Sequence, residues 1–504
     1  MKSRTNICVR KEKKIYGREF HAVRDNSTIL AFDIENVRII ELDDLELGVL
    51  NSIKKNPLSI SEFKKRLPVR KGQKVEEAVA ALLDVDMLGY SSFKKMSRKE
   101  IDDYERGCSE NLKTKELKQI ALNVTHKCNL HCDYCYGEDG SYGGPAVHMT
   151  RDTAEQAVDF LIKESGDSDT CRITFFGGEP LLNFDLVKYI TQYARKKASK
   201  SNKKMYLGMT TNGVLLNEKI IDFLIKEDIE VTFSIDGPKE IHDMSRRFKV
   251  NPEKSSHDVI YPKILKYTKK VEGHDCYYGF RATITGPSIR NIDDLVAFFT
   301  SFKTKSIIYD TAEYNNGISP RGLAIRDDDL AIYRRKIKER AEKVRKNKLE
   351  SGYNVFARPL KDMKDKIKKT HFCISPGALY VGVSAEGDIF PCHRLVGYKE
   401  TKLGNVWDGF DREKWLKKYA RVHIFNSKVC SRCWVRYFCG GMCPATNYFL
   451  GGDFMLSEKV EPEPVHCKLK KMIIEEAMLL FATLTKNDSN SKTKVEEQSH
   501  CLSC

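Results

Sequence analysis

The 504-residue chain is long enough for about three domains, and its 41% hydrophobic and 31% charged residues exclude collagen-like and wholly disordered chains. The net charge of +16 (86 basic against 70 acidic residues) is spread through Lys-rich stretches such as KYTKK and RRKIKERAEKVRKNK. That pattern suits a solvated face or an acidic peptide partner, and no nucleic-acid motif accompanies it. No run approaches the roughly 18 to 20 apolar residues of a membrane span, and MKSRTNICVRKEKK has no apolar segment behind its charges, so the sequence predicts a cytoplasmic protein without a secretory signal.

In chain order, strand-like TILAFDI and VRIIEL precede LELGVLNSIKK, ISEFKKRL and VEEAVAALLDVDMLGY at helical spacing, which predicts a winged-helix-like α+β domain over residues 1–106. The charged stretch SRKEIDDYERGCSENLKTKE reads as a linker running to residue 116, with 107–116 as its core. From 117 to 330, the β-rich runs IALNVT, RITFFGG, MYLGMTTNG, EVTFSIDG, YYGFRATIT and SIIYDTAEY alternate with amphipathic segments such as TAEQAVDFLIKE and NEKIIDFLIKE. Six such units predict an α/β fold, a partial (β/α)6 TIM-like barrel with its chemistry at the C-terminal strand ends. Residues 331–370 read as a helical bridge. Across 371–470 periodicity fades while Cys, Gly and aromatic residues rise, as in a region folded around metal. The stretch 471–504 reads as the end of a helix, KLKKMIIEEAMLLFATL, and a disordered polar tail.

The sixteen cysteines carry most of the functional information, because clustered cysteines in a cytosolic chain more often bind metal than form disulfides. CNLHCDYC places Cys128, Cys132 and Cys135 in a loop directly after a strand. Thiolates suit a [4Fe–4S] cluster, which normally takes four protein ligands; three leave one iron open to the amino and carboxylate groups of S-adenosylmethionine (SAM). The competing reading is a zinc site completed by His126 or His131. Farther on come Cys373, Gly387 and Cys392, then Cys430, Cys433, Cys439 and Cys443 at C-x2-C-x5-C-x3-C spacing, then Cys467. Seven thiolates cannot fill two four-ligand sites. Cys8, Cys108, Cys171 and Cys276 are scattered and read as small buried hydrophobes, while Cys501 and Cys504 in the tail read as free exposed thiols.

CNLHCDYC, followed by FFGGEP, TTNG and SIDGP with HDMSR after successive strands, resembles the radical SAM superfamily throughout its core domain, and Tyr134 before the last cysteine fits. The resemblance implies SAM and a cluster whose electron yields a 5′-deoxyadenosyl radical. It also implies that Gly177, Gly178, Glu179 and Pro180 approach the methionine amino group. Asn212 of TTNG, Ser234, Asp236 and Arg246 match positions that complete the SAM site, the last three fixing its ribose or carboxylate.

The seven later cysteines are similar to the SPASM pattern of radical enzymes acting on peptides and proteins. That implies three [4Fe–4S] clusters in all. Cys430, Cys433, Cys439 and Cys467 would hold one auxiliary cluster fully, and Cys373, Cys392 and Cys443 another with an open iron. The alternative is that both auxiliary clusters only stabilise the fold and conduct electrons.

The N-terminal unit resembles the precursor-recognition domains of maturases of ribosomally made peptides, which bind a leader as an added strand. The combined reading is a radical SAM oxidoreductase that joins a cysteine sulfur to carbon in a Cys-containing precursor peptide carrying a leader. Its electron donor would be a flavodoxin or ferredoxin, with no nucleic acid or membrane partner. Rivals within the family are formylglycine formation in a sulfatase, maturation of an amine dehydrogenase subunit and carbon–carbon cross-linking. The rival outside it is a non-catalytic iron–sulfur carrier or scaffold. No catalytic acid or base stands out, since Glu386 and Asp388 beside Gly387 also fit a turn.

Overall fold

The computed structural model describes residues 13–25, 28–68, 74–93, 95–274, 276–302, 306–312, 322–346, 355–373, 375–454 and 465–488. Cys8, Cys501, Cys504 and the polar tail lie outside them.

The N-terminal unit is a three-stranded antiparallel sheet of β1 (Phe20–Asp25), β2 (Thr28–Asp33) and β3 (Arg38–Leu42), followed by helices α1 (Asp44–Ile53), α2 (Ile60–Arg66) and α3 (Val75–Asp84). A capping box starts α1: the Asp43 carboxylate accepts from Glu46 N at 2.7 Å, and Asp43 N donates to the Glu46 carboxylate at 2.9 Å. The helices bury Val49, Phe63 and Val79 against Ile29 and Ala31 of the sheet. The sheet's other face puts Phe32, together with Ile34 and Val37 of the following turn, into the main core of the protein. Strand alternation thus makes the sheet a shared wall between two cores.

The stretch expected as a linker is instead helix α4 (Arg98–Lys113). Its charge density hides a stripe of Ile101, Tyr104, Cys108 and Leu112 at three- and four-residue spacing, and a Ser97–Glu100 capping box starts it.

All six expected barrel strands form: β4 (Gln119–Thr125), β5 (Thr170–Gly177), β6 (Lys204–Thr211), β7 (Ile229–Ser234), β8 (Tyr278–Ile284) and β9 (Ile307–Thr311). They are parallel, in the spatial order β9-β8-β7-β6-β5-β4. The crossovers include α5 (Arg151–Glu164), α6 (Phe184–Lys200) and α7 (Glu218–Lys226). Central β4 is buried at every position but Gln119, whereas in β7 Glu230, Thr232 and Ser234 are only half-buried and alternate with buried Ile229, Val231 and Phe233. The barrel is therefore an open α/β sheet with its C-terminal strand ends at one rim.

The cysteine-rich region does not stand apart from this sheet. β10 (Tyr380–Val383) runs parallel beside β4, and the antiparallel strands β11 (Asp388–Phe390) and β12 (Gly404–Asn405) extend it to nine strands. The expected helical bridge contains α8 (Asp327–Arg345) and α9 (Ala357–Lys364), and the terminal helix α10 (Val465–Asp488) packs against both. No helix among the described residues is long and apolar enough to cross a membrane.

Candidate cluster and cofactor site

The site is built where β4 and β5 end. The register between these strands shifts between Asn123 and Thr125, and the irregularity redirects the chain into the Cys128 loop. Beyond the strands the pairing continues: Gly178 N donates to Thr125 O at 3.0 Å and Glu179 N to Lys127 O at 2.8 Å. Only glycine permits this approach. Gly177 has φ +131°, and a Cβ there would lie 2.3 Å from Thr125 O; at Gly178 it would lie 2.2 Å from Lys127 O. On its far side the cysteine loop forms a short antiparallel strand, Leu130–Cys132, with Arg246–Phe248.

Cys128, Cys132 and Cys135 line one cavity of about 190 Å³ together with Gly177, Gly178, Asn212, Ser234 and Arg246. Five of the eight residues expected at SAM are thus brought to the three cysteines. Glu179, Pro180 and Asp236 stand behind that wall. Glu179 is fully enclosed, and its carboxylate accepts from Leu181 N (3.0 Å), Thr211 Oγ1 (2.7 Å) and Asn212 N (2.7 Å), tying the ends of β5 and β6 together. Burial pushes its pKa up to about 7 despite these donors. Asp236 accepts from Arg246 Nε at 2.9 Å and Nη2 at 3.2 Å, from Thr283 N at 2.8 Å and from the Tyr134 hydroxyl. Burial opposes its charge, but Arg246 more than offsets this and holds Asp236 below the ordinary carboxylate range. The pair fixes the guanidinium at the cavity wall.

The donor set fits an iron–sulfur cluster. Burial raises the thiol pKa of all three cysteines, that of Cys128 to about 12, and a bound cation would favour their thiolate forms. The histidines of the zinc reading are engaged elsewhere. His126 Nε2 accepts from Ala385 N at 3.2 Å, while its Nδ1 faces Glu386 at 3.5 Å, and His131 Nδ1 pairs with Asp139 at 2.7 Å. Among the described residues no three His, Cys, Asp or Glu side chains close on a point suited to a single metal ion.

The later cysteines divide between two apolar clusters. Cys430 is buried in the main core, with Cys433, Cys439 and Cys467 packed against it. Cys392 and Cys443 pack against a separate cluster containing Trp415 and Tyr419, and the Tyr419 hydroxyl donates to Cys373 O at 2.6 Å. Asp388 is paired with Lys402 Nζ at 2.7 Å. Of the scattered cysteines, Cys171 is buried and Cys108 and Cys276 are half-buried.

Residues without a sequence signal complete the cavity. Tyr136 and Arg394 line it beside an Arg281–Asp310 ion pair (2.5 Å) between β8 and β9. The guanidinium of Arg394 lies 5.6 Å from the Tyr136 ring. The one available clue was adjacency, since Tyr136 follows Cys135 and Arg394 lies two residues after Cys392.

Comparison with known proteins agrees with this arrangement. The family model described as the Radical SAM superfamily matches residues 122–280. An uncharacterized protein of Methanocaldococcus jannaschii is 30% identical over 58% of this chain and 90% of its own length. The radical SAM cyclopropyl synthase TigE of Paramaledivibacter caminithermalis is 22% identical over 90% of this chain and 92% of its own. A cysteine-type anaerobic sulfatase-maturating enzyme of Clostridium perfringens is 23% identical over 65% of this chain and 88% of its own. A solved structure of native anSMEcpe with bound AdoMet superposes with a TM-score of 0.60 at 19% identity, covering 73% of this chain and 99% of that one, a likeness of fold.

Proposed function

The chain belongs to the radical SAM superfamily and is a radical SAM enzyme, and on that premise we propose that it modifies a ribosomally made precursor peptide, joining a cysteine sulfur to carbon as a thioether. The observation that carries this reading is one cavity lined by Cys128, Cys132 and Cys135 and also by Arg394, which reaches Cys443. When bound, the cluster and SAM supply an adenosyl radical that removes a hydrogen atom from the peptide.

The chain's own residues do the rest. Cys128, Cys132 and Cys135 hold the first [4Fe–4S] cluster. The Gly177–Gly178 edge, Asn212, Ser234 and Arg246 present polar groups to SAM, and Glu179 and Asp236 keep that wall rigid from behind. Cys430, Cys433, Cys439 and Cys467 hold a closed auxiliary cluster. Cys373, Cys392 and Cys443 would hold another, and three protein ligands would leave room for a peptide thiolate, so that proximity would replace a bimolecular encounter. The N-terminal sheet receives the leader. Its edge strands are β1 and β3, each paired only with β2 among the described residues, and a strand added at such an edge follows the β-augmentation mode. A flavodoxin or ferredoxin supplies the electron.

A second reading, carbon–carbon bond formation, is favoured by the relative that spans 90% of this chain, which is named as a cyclopropyl synthase. Both readings remove two hydrogens from the peptide, and the free thiol separates them. Anaerobic co-expression with a Cys-containing precursor, alkylation and tandem mass spectrometry should give a two-hydrogen loss with no alkylated cysteine. An alkylated cysteine on a product two hydrogens lighter refutes the thioether and supports the second reading.

A further inference from the structure

Arg394 touches two sites at once. Its Nη1 donates to Cys443 Sγ at 3.3 Å and to Thr446 Oγ1 at 3.1 Å, while the same side chain lines the cavity of Cys128, Cys132 and Cys135. Two aromatic rings hold it there, Tyr136 at 5.6 Å and Phe449 at 5.3 Å from the guanidinium carbon. Tyr136 adjoins Cys135 in sequence, and Arg394 lies two residues after Cys392, so a short Tyr–Arg contact joins the two cysteine sets. Hydrogen bonds to cluster sulfurs and nearby charge are among the main determinants of an iron–sulfur potential, because both stabilise the reduced, more negative state.

We propose that Arg394 is a tuning residue that raises the reduction potential of the auxiliary cluster held by Cys373, Cys392 and Cys443, making that cluster an electron acceptor for the reaction. This rests on the ligand assignment given above. In a two-hydrogen loss, one hydrogen atom leaves the peptide carbon for the adenosyl group and the thiol yields its proton to solvent. One electron then remains to be removed as the carbon–sulfur bond forms. A cluster whose thiolate is held by a guanidinium is the better acceptor of that electron. The planar guanidinium matters as well as the charge, since it lies against two rings while its Nη1 bonds both Cys443 and Thr446.

The test is an EPR-monitored redox titration of the reconstituted full-length protein without peptide, comparing wild type with Arg394→Met and Arg394→Lys. The expected result for Arg394→Met is at least a tenfold shift of the auxiliary cluster's equilibrium toward the oxidised form, about 59 mV for a one-electron couple. Arg394→Lys should recover part of it, and the SAM-bound signal of the first cluster should not move. An auxiliary potential unchanged in Arg394→Met overturns the role of Arg394, as does an equal shift of all clusters. If Arg394→Met does not assemble its clusters, Arg394→Lys and Arg394→Gln decide the same comparison. Should the auxiliary signal survive both Cys392→Ala and Cys443→Ala, the ligand assignment falls and the proposal with it. The mass-spectrometric test of the thioether is independent of every one of these outcomes.

Discussion

Gly178→Ala tests whether the glycine pair exists to let the strand end pack on the cysteine loop. A Cβ at Gly178 would sit 2.2 Å from Lys127 O, 2.5 Å from Lys127 C and 3.0 Å from Cys128 N, all of them backbone atoms that no side-chain rotation can clear. The loop must retreat by about 1 Å, twice the ~0.5 Å tolerance of a preorganised site. Retreat breaks the hydrogen bonds from Gly178 N to Thr125 O and from Glu179 N to Lys127 O, each contributing about 0.5–1.5 kcal/mol. Residual overpacking adds about 1–3 kcal/mol. A cost of roughly 2–6 kcal/mol is within what a stable domain survives, so the chain should still fold while Cys128 leaves its place. The assay is iron and sulfide content, with the SAM-dependent change in the EPR signal of the first cluster, beside a thermal melt. Expected is loss of that signal with the later clusters retained. Gly107→Ala is the matched control: nothing lies within 4 Å of its added Cβ inside α4, and the substitution should stabilise by about 0.5–1 kcal/mol. A Gly178→Ala protein with full iron content and an unchanged SAM response refutes the reasoning.

The other predictions address separate contacts. Glu179, raised to about 7 from 4.5, makes the native state bind the extra proton. Its contribution is fully present below pH 4.5 and is lost as pH rises toward 7, a change of about 3 kcal/mol. In urea titrations the stability of wild type relative to Glu179→Gln should fall over that window, and a difference independent of pH counts against the burial argument. Arg436→Met removes bonds from the guanidinium to Glu19 (3.0 Å) and Glu35. Both carboxylates are partly hydrated, so the cost should be about 2 kcal/mol, read as faster amide exchange in β1 and β2; unchanged exchange there refutes the docking role. Cys392→Ala should lower the iron content by about four atoms per chain while leaving the SAM-responsive signal intact. Loss of that signal instead would mean that the two cysteine sets do not hold separate clusters.

The sequence makes legible what local pattern controls. Six strands were marked by β-rich runs, and the three-cysteine loop, glycine pair and cysteine spacings by motifs whose chemistry depends on residue type. Contacts between distant segments were not legible. α4 looked like a linker because charge masked a stripe that only packing against Arg412–Tyr419 reveals. β10 looked like part of a separate region because a four-residue strand has too little pattern to declare its pairing with β4. Glu179 and Asp236 matched motif positions, but their bonds to Thr211, Asn212, Arg246 and Thr283 cross from strand to strand. Arg394 and Tyr136 meet across more than two hundred residues of chain, and only the fold brings them together.

The same limit hid how the N-terminal unit is mounted. The five residues between Cys433 and Cys439 are Trp434, Val435, Arg436, Tyr437 and Phe438, and four of them engage that unit directly. Trp434 stacks on His21 with ring centroids 3.6 Å apart, Arg436 bonds Glu19 and Glu35, the Tyr437 hydroxyl donates to Glu35 at 2.9 Å, and Phe438 lies 5.1 Å from Phe32. Val435 is buried in the core shared with Phe32. On the same face of the sheet, His21 and Asp25 of β1 reach Glu475 of α10 and Lys338 of α8, at 3.1 and 3.3 Å. This face of the sheet is continuous with the main core, and packed interiors transmit displacement because they hold little free volume. The N-terminal sheet is therefore mechanically continuous with the loop carrying Cys433 and Cys439 and cannot swing independently of it.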